Sequence, residues 1–242
     1  RKGARTALLV TEGFRDSVEM AFENRFEQYD LYMDKPPPLV PRTLRLPVPE
    51  RIDARGNVVR ALDEAALQAL VPALTAAGIE SVAIGFLHAY AWPQHERRAR
   101  DLLARWLPDL WVTCSSDVSP EIREYERWST ACANAYVQPV MAGYLRRLEN
   151  LLKTAGLGCP VFLMTSAGGL TTLDTAATYP IRLVESGPAG GAILASRLAA
   201  QCDFDAVLSF DMGGTTAKIC LIDDGEPQYA RSFEVARAYR FM

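Results

Sequence analysis

Short apolar runs alternate with amphipathic segments along this chain, which predicts an α/β fold with mainly parallel sheet. The apolar runs predict strands at residues 7–10, 81–87, 111–114 and 161–164. The amphipathic segments predict helices at residues 14–26, 63–77 and 93–106. Asp63 is placed to cap the second of these helices and Gly78 to end it. Residues 44–48 and 58–61 predict the two arms of a hairpin that turns at Gly56.

A long helical segment begins at Ser119 and Pro120. Seven residues recur in it near the 3.6-residue period and predict its buried face: Ile122, Tyr125, Ser129, Ala133, Tyr136, Val140 and Leu148. The charged residues at its start predict a solvated face, with a cleft-lining cluster as the alternative: Glu121, Arg123, Glu124, Glu126 and Arg127. We expect Pro139 to kink or interrupt this helix, because proline lacks the backbone N–H.

The segment from residue 206 to residue 222 carries the most informative pattern. An apolar run ends in Asp211; Met212, two glycines and two threonines follow (Gly213, Gly214, Thr215 and Thr216), and a second apolar run begins. P-loop and dinucleotide-binding fingerprints have a helix after the glycines, so these two runs predict instead a β-hairpin with the glycines at its tip. Such a tip can bind phosphate through backbone N–H groups and threonine hydroxyls, and Asp211 can hold Mg²⁺ through water. An ordinary hairpin turn is the alternative.

A second glycine-rich segment precedes the hairpin. Ser186 suits an N-cap and Pro188 a first helical turn, which predicts a helix to about residue 200. The helix start can bind an anion through four residues: Ser186, Gly187, Gly190 and Gly191. A helix that uses small residues to pack against a sheet is the alternative. A third segment leaves the strand at 161–164 and offers substrate or phosphate contacts from Ser166, Gly168 and Gly169.

Composition narrows the classes of function. The chain has 242 residues, 49% of them hydrophobic, which is enough for a core in more than one lobe. A net charge of −3 predicts no nucleic-acid partner, and no apolar run approaches the roughly 20 residues of a membrane span. The five cysteines form no Cys-x-x-Cys pair and predict reduced, mostly buried thiols in a cytoplasmic protein. His88 and His95 have no metal-ligand spacing and are expected to be structural.

Residues 185–191 (ESGPAGG) and 211–216 (DMGGTT) together resemble the hydantoinase/oxoprolinase family. The resemblance covers nearly the whole chain and includes residues 1–16, 86–90 with His95 and Glu96, and 119–127. This family includes the A subunits of ATP-dependent N-methylhydantoinases, 5-oxoprolinase, and related subunits of acetone and acetophenone carboxylases. It implies an actin-like ATPase fold with ribonuclease H-like lobes, in which mixed sheets are flanked by helices.

The resemblance also implies a domain division and a set of site residues. Residues 1–137 correspond to the rest of an N-terminal domain, and residues 138–242 to the start of an ATPase-like domain. ATP and Mg²⁺ are the implied cofactors, with Asp211 and Thr215 in catalytic roles. Many phosphate loops of the superfamily have an aspartate at the position of Lys218, so Lys218 either contacts phosphate or faces solvent. Members also have an earlier phosphate loop, so we expect an internal fragment of a longer protein, inactive alone.

The implied reaction is ATP-dependent hydrolysis of a cyclic amide of hydantoin or 5-oxoproline type. Phosphorylation of the carbonyl oxygen would activate the amide, and a B-type subunit or domain would complete the reaction. Alternatives are a ketone carboxylase subunit of acetone or acetophenone type, an actin-like metabolite kinase, and a non-catalytic nucleotide-binding scaffold. The residues fit the hydrolase and carboxylase branches equally well.

Overall fold

The computed structural model describes residues 3–21, 29–32, 36–214, 217–230, 233–235 and 239–241. The chain divides into two compact units, residues 1–140 with 232–242, and residues 141–231. No helix in these described ranges is long and apolar enough to cross a membrane.

The first unit contains strands and helices in alternation. Its strands are β1 (Thr6–Thr11), β2 (Arg45–Val48), β3 (Arg51–Ile52), β4 (Val58–Arg60), β5 (Ser81–Gly85) and β6 (Trp111–Cys114). Its helices are α1 (Ser17–Met20), α2 (Glu64–Ala69), α3 (Val71–Ala76), α4 (Gln94–Trp106), α5 (Ser115–Val118) and α6 (Glu124–Thr154), the last of which continues beyond residue 140. A short 3₁₀ helix, Arg42–Leu44, precedes β2.

A four-stranded parallel sheet in the order β2-β1-β5-β6 forms the core of this unit. Every residue of β1 and β5 is buried, as expected for parallel strands that are covered on both faces. Leu9 and Ile84 face one side, where they pack with residues of α2, α3 and α4. Leu8 and Val10 face the other side, where they pack with Trp128 and its neighbours on α6.

Several predicted elements of the first unit have different bounds. The helix predicted at 14–26 is described only over Ser17–Met20, and residues 22–28 lie outside the described residues. The helix predicted at 63–77 divides at Leu70 into α2 and α3. Asp63 does cap α2, since its Oδ1 accepts the N–H of Ala66 at 2.9 Å, and Gly78 follows α3 with a φ of +62°.

The predicted first arm of the hairpin is wrong. β2 joins the parallel sheet beside β1, and the hairpin is formed by β3 and β4. The turn is nevertheless at Gly56, whose φ is +88°. Asp53 organises this turn, because its Oδ1 accepts the N–H groups of Arg55 and Asn57 at 2.8 and 2.9 Å.

The long helix differs most from its prediction. It runs through Pro139, so the predicted interruption is wrong. The predicted buried face is also wrong at its start, since Ile122 is 63% exposed. The residues that pack on the sheet are Trp128, Ala131, Cys132 and Ala135. Glu126 and Arg127 are buried rather than solvated, whereas Glu121 and Arg123 are exposed as predicted.

The second unit contains two small sheets and one long helix of its own. Its elements are β7 (Phe162–Met164), β8 (Leu170–Thr172), α7 (Leu173–Thr178), α8 (Ser186–Gln201), β9 (Ala206–Met212), β10 (Ala217–Asp223) and β11 (Glu226–Pro227). A 3₁₀ helix, Pro180–Leu183, connects α7 to α8. β9 and β10 pair antiparallel over seven residues each, so the predicted hairpin is confirmed. Helix α8 packs against β9, β10 and β11.

A further antiparallel pair, β12 (Phe233–Val235) and β13 (Tyr239–Phe241), lies near the end of the chain. The hairpin of β9 and β10 has an exposed apolar face, where Leu208 and Phe210 of β9 are paired with Leu221 and Ile219 of β10. The five thiols are free, but only Cys114 and Cys132 are buried. Cys220 is half-buried and Cys159 and Cys202 are exposed, so the prediction of mostly buried thiols is wrong.

Candidate functional site

All the residues predicted to bind phosphate lie in the second unit, on three segments. The first is the turn between β7 and β8, the second is the start of α8, and the third is the tip between β9 and β10. Thr215 and Thr216, at that tip, lie outside the described residues.

The base of the hairpin tip combines one acidic and one basic side chain. Asp211 is exposed near the end of β9, and its side chain forms no hydrogen bond or ion pair with any residue that the structure describes. Lys218 lies directly opposite it on β10, and the Lys218 Nζ forms an ion pair with the Oε2 of Glu185. Lys218 is therefore held by a carboxylate beside the tip rather than extended into solvent. A Cβ added at Gly214 would meet nothing within 4 Å, so Gly214 itself faces open space.

The start of α8 differs from its prediction by one residue. Ser186 is the first helical residue and Glu185 is the N-cap, without a side-chain capping hydrogen bond. Glu185 has a φ of +67°, a left-handed conformation that is uncommon for a residue with a Cβ. This turn of the backbone aims the Glu185 carboxylate at Lys218 instead of at the helix N–H groups. Because Pro188 has no N–H, Ser186 and Gly187 are the donors of the first turn.

The glycines of α8 are of two kinds. A Cβ at Gly190 would lie 3.7 Å from the Cγ of Met164 in β7, an ordinary packing distance. Gly187 and Gly191 have open space where a Cβ would lie. Gly190 therefore packs against β7 without strictly requiring glycine, while Gly187 and Gly191 face open space.

The turn between β7 and β8 is tied to its surroundings by its own backbone and hydroxyl groups. Ser166 donates to the carbonyl oxygen of Arg182 through its N–H at 2.8 Å and through its Oγ at 3.1 Å. Thr165 donates to the carbonyl oxygen of Gly169 in the same two ways, at 2.8 and 3.1 Å. Gly168 has a φ of +79°, which favours glycine, and a Cβ there would lie 2.8 Å from the Cδ1 of Ile193 in α8.

These contacts bring the three segments together. The Glu185–Lys218 ion pair joins the start of α8 to the base of the hairpin tip, and Gly168 joins the β7–β8 turn to α8. The positive end of the α8 dipole favours an anion there. No group of three or more histidine, cysteine or acidic side chains able to hold a metal occurs in the described part of the chain. The single carboxylate of Asp211 suits Mg²⁺, which is bound mainly by water and phosphate oxygens.

Sequence reasoning missed a buried polar cluster in the first unit. Glu96 is fully buried and accepts three hydrogen bonds, from the N–H of Phe86 at 2.9 Å, the Oγ of Ser115 at 2.6 Å and the N–H of Ser116 at 2.9 Å. Burial raises the pKa of Glu96, which these hydrogen bonds partly offset. Arg127 is also buried, and its Nε donates to the same Ser115 Oγ at 3.2 Å. Burial lowers the pKa of Arg127.

A second buried carboxylate lies at the same end of the sheet. Glu50 accepts a hydrogen bond from the Thr11 Oγ1 at its Oε1 and one from the His95 Nδ1 at its Oε2, the latter at 2.7 Å. The N–H of Leu87 donates to the Thr11 Oγ1 at 3.0 Å. Part of the signal lay in polar residues that follow strands, since Ser115 and Ser116 come directly after β6 and Glu50 comes two residues after β2.

Comparison with known proteins agrees with the sequence patterns. Sequence models described as hydantoinase/oxoprolinase and as hydantoinase/oxoprolinase N-terminal region match residues 127–241 and 1–107. The alpha subunit of caprolactamase from Pseudomonas jessenii is 33% identical over 98% of this chain and 34% of its own.

Two solved structures share the fold. The crystal structure of the ATP-dependent caprolactamase from Pseudomonas jessenii matches with a TM-score of 0.80 and 34% identity, over 90% of this chain and 32% of that one. The nucleotide-free structure of an ATP-dependent acetone carboxylase matches with a TM-score of 0.82 and 28% identity, over 99% of this chain and 35% of that one. This chain spans about a third of the length of the curated relatives it matches first. From both family matches, and from relatives similar over nearly its whole length, this chain belongs to the hydantoinase/oxoprolinase family.

Proposed function

We propose that this chain is part of an ATP-dependent amidohydrolase that opens a cyclic amide of the hydantoin or 5-oxoproline type. The observation that carries the proposal is the joined arrangement of the Asp211 hairpin tip and the start of α8, linked by Glu185 and Lys218. Membership of the hydantoinase/oxoprolinase family and the likeness to an ATP-dependent caprolactamase support it. A caprolactamase acts on a lactam, which is itself a cyclic amide.

An amide carbonyl is a poor electrophile, and its activation gives ATP a role. Transfer of the γ-phosphoryl group to the carbonyl oxygen produces an imidate-like phosphate that water attacks readily. Positioning and charge stabilisation are then the protein's main tasks. Asp211 would hold Mg²⁺ through water, while Gly213, Gly214, Thr215 and Thr216 would donate to phosphate oxygens. Thr215 is also the proposed catalytic hydroxyl of this loop.

The start of α8 would bind other phosphate oxygens of the same nucleotide. Ser186 and Gly187 offer first-turn N–H groups, and Gly191 leaves open space along the same helix. Ser166 is committed to the carbonyl of Arg182, so the β7–β8 turn would contact a ligand through Gly168 and Gly169. The domain division at residues 137 and 138 and a B-type partner subunit or domain remain part of this proposal.

Ketone carboxylation is the second candidate. The likeness to an ATP-dependent acetone carboxylase, at a TM-score of 0.82, favours it. The same phosphate site would activate a ketone through its enolate, and bicarbonate would supply the carboxyl group.

The test is ADP release by the full-length protein with its B-type partner. Substrates would be 5-oxoproline, hydantoins and caprolactam, and acetone or acetophenone with bicarbonate. Stimulation by a cyclic amide supports the hydrolase, and stimulation by a ketone with bicarbonate supports the carboxylase. If no substrate stimulates ADP release, both the hydrolase and the carboxylase are contradicted, and a nucleotide-binding scaffold is favoured.

The role of Asp211 has its own test. We expect Asp211→Asn to abolish magnesium-dependent ATP binding, measured by titration calorimetry with and without Mg²⁺. Asp223→Asn is the matched control, because Asp223 lies at the opposite end of the same hairpin, paired with Ala206. Unchanged affinity in Asp211→Asn rules out the proposed magnesium role.

A further inference from the structure

Lys218 is the one residue with a positive charge on the three segments predicted to bind phosphate. Residues 165–169, 185–191 and 211–218 contain no other lysine or arginine. Their other charged side chains are the carboxylates of Glu185 and Asp211. The phosphates of a nucleotide are themselves strongly anionic. The Lys218 ammonium is therefore the only cationic side chain of these segments that can compensate the phosphate charge.

The strand register places Lys218 at the base of the hairpin tip. It pairs with Asp211, next to the last pair of the hairpin, Met212 with Ala217. Residues directly opposite each other on antiparallel strands point to the same face, so Lys218 and Asp211 share one face of the hairpin. The Lys218 Nζ forms its ion pair with Glu185, the N-cap of α8, so this is the face that α8 covers. The ammonium therefore lies between the base of the tip and the start of the helix.

The ammonium keeps donors for a ligand. A lysine ammonium has three N–H donors, and the Glu185 Oε2 is the one acceptor that the Lys218 Nζ contacts within the described ranges. The pair is also open to solvent, since 36% of the Lys218 side-chain surface and 39% of the Glu185 side-chain surface are exposed. A phosphate oxygen can therefore reach the ammonium without displacing the carboxylate.

Stability does not account for this ion pair. Exposed pairs contribute little to the folded state, because water screens the two charges. Glu185 nevertheless directs its carboxylate to Lys218 from a left-handed backbone conformation, with a φ of +67°, which is unfavourable for a residue with a Cβ. Such outliers persist where the surrounding structure holds a side chain in place for a function. Here the conformation gives the ammonium a fixed position beside the tip.

We propose that Lys218 is a phosphate-binding residue of this site, with Glu185 as its positioning residue. This rests on the proposed function, because the ligand is the nucleotide of that reaction. Lys218 donates its remaining N–H groups to phosphate oxygens, while Glu185 holds the ammonium in place through Oε2. Lys218 lies opposite Asp211, at a position where many phosphate loops of the superfamily have an aspartate. The lysine thus supplies a direct phosphate contact in place of a further carboxylate.

The competing explanation is that Lys218 only neutralises Glu185. In that case Lys218 becomes dispensable for nucleotide binding once Glu185 has lost its charge. If Lys218 binds phosphate directly, it is needed whether or not Glu185 is charged. A double-mutant cycle separates the two explanations.

The cycle measures the Kd of magnesium–ATP by titration calorimetry on the full-length protein. Glu185→Gln removes the charge but keeps an amide oxygen that can accept from the ammonium. Since a hydrogen bond from a charged donor is worth about tenfold in affinity, we expect Lys218→Met to weaken binding by that factor in the wild-type and Glu185→Gln backgrounds alike. A change within about twofold in the Glu185→Gln background overturns the direct contact.

Glu185→Ala tests the positioning role, because alanine offers no acceptor to the ammonium. In this background the loss from Lys218→Met should shrink to about threefold or less, and an undiminished loss overturns the positioning role. Lys153→Met is the matched control. Lys153 also pairs with a glutamate, Glu149, at 2.6 Å, but it lies on α6 outside the three segments. We expect it to keep the wild-type Kd, and a loss equal to that of Lys218→Met overturns the proposal.

Amine labelling of the wild-type protein covers a variant that does not fold. Acetylation by a lysine-reactive reagent, followed by peptide mass spectrometry, compares Lys218 and Lys153 with and without magnesium–ATP. We expect bound nucleotide to slow the acetylation of Lys218 and to leave that of Lys153 unchanged. Equal labelling of Lys218 in the free and nucleotide-bound protein overturns the proposal.

Failure of the proposed function gives a different result. Wild-type protein that binds magnesium–ATP but releases no ADP with any cyclic amide or ketone contradicts the proposed reaction, while the cycle still decides the role of Lys218. Wild-type protein that binds no magnesium–ATP overturns both.

Discussion

Arg127 provides the sharpest test of what holds the first unit together. Its side chain has no exposed surface, and its guanidinium donates to three different segments. The acceptors are the Ser115 Oγ at 3.2 Å, the Glu121 carbonyl at 2.8 Å and the Phe86 carbonyl at 3.1 Å. Ser115 in turn donates to Glu96 at 2.6 Å, so one hydroxyl bridges the two buried side chains. We therefore predict that Arg127→Met is strongly destabilising.

The magnitude follows from what the substitution leaves behind. Methionine retains most of the apolar stem, so loss of packing is a minor part of the effect. Arg127 and Glu96 are linked only through the Ser115 hydroxyl, so the cost comes mainly from the acceptors that lose the Arg127 donors. The orphaned acceptors cost about 1–3 kcal/mol each where water cannot reach them. We expect a loss of about 4 kcal/mol in the free energy of unfolding of the first unit.

Tryptophan fluorescence during urea unfolding measures this unit selectively. All four tryptophans, Trp92, Trp106, Trp111 and Trp128, lie within residues 1–140. With a slope of about 2 kcal/mol per molar urea, the midpoint should fall by about 2 M. Arg105→Met is the control, because Arg105 is exposed on α4, and its change should stay within about 0.5 kcal/mol.

A loss below about 1 kcal/mol would refute the reasoning, since the buried guanidinium would then not be holding the three segments. A double-mutant cycle tests the electrostatic part. In a Glu96→Gln background the carboxyl group that Ser115 links to Arg127 is gone, so the further loss from Arg127→Met should shrink by at least about 1 kcal/mol. An equal loss in both backgrounds would show that the two buried side chains are not coupled.

The other predictions concern the hairpin tip and the thiols. Lys218→Met leaves the Glu185 carboxylate uncompensated beside the start of α8. The affinity of the full-length protein for magnesium–ATP, measured by calorimetry, should therefore fall by about tenfold. A Kd within twofold of wild type would contradict a role for the ion pair. Iodoacetamide should label Cys159 and Cys202 first and Cys132 and Cys114 last, because burial raises the pKa of Cys132 to about 12 and that of Cys114 further still. Peptide mass spectrometry gives the order, and equal rates at all four thiols would refute it.

Features fixed by neighbouring residues could be predicted from the sequence. The cap at Asp63, the turn at Gly56 and the hairpin around Gly213 and Gly214 each depend on a few adjacent positions. The start of α8 was misplaced by one residue because Glu185 adopts a left-handed backbone conformation, which nothing in its side chain predicts.

Features that depend on distant pairing could not be predicted. β2 has only four residues, and its place beside β1 depends on a register set by non-local contacts. Arg127 was expected on a solvated face because its sequence neighbours are charged. Its burial depends on Glu96 and Ser115, which lie on other elements. The hydrophobic pattern around Arg127 does not reveal contacts with such distant residues. The Glu50–His95 pair, 45 residues apart, was hidden for the same reason.

The exposed apolar face of the β9–β10 hairpin affects how this segment behaves in concentrated solution. β9 is the last strand of its sheet in the described part of the chain, so its outer edge offers unpaired backbone groups over seven residues. An apolar strand with a free edge is a template for pairing between molecules. At high concentration such pairing would consume monomer and mimic a loss of stability or ligand affinity. Light scattering measured alongside every titration would detect such association, so that it is not mistaken for a folding defect. Leu208→Lys would suppress it by placing a charge on the exposed apolar face.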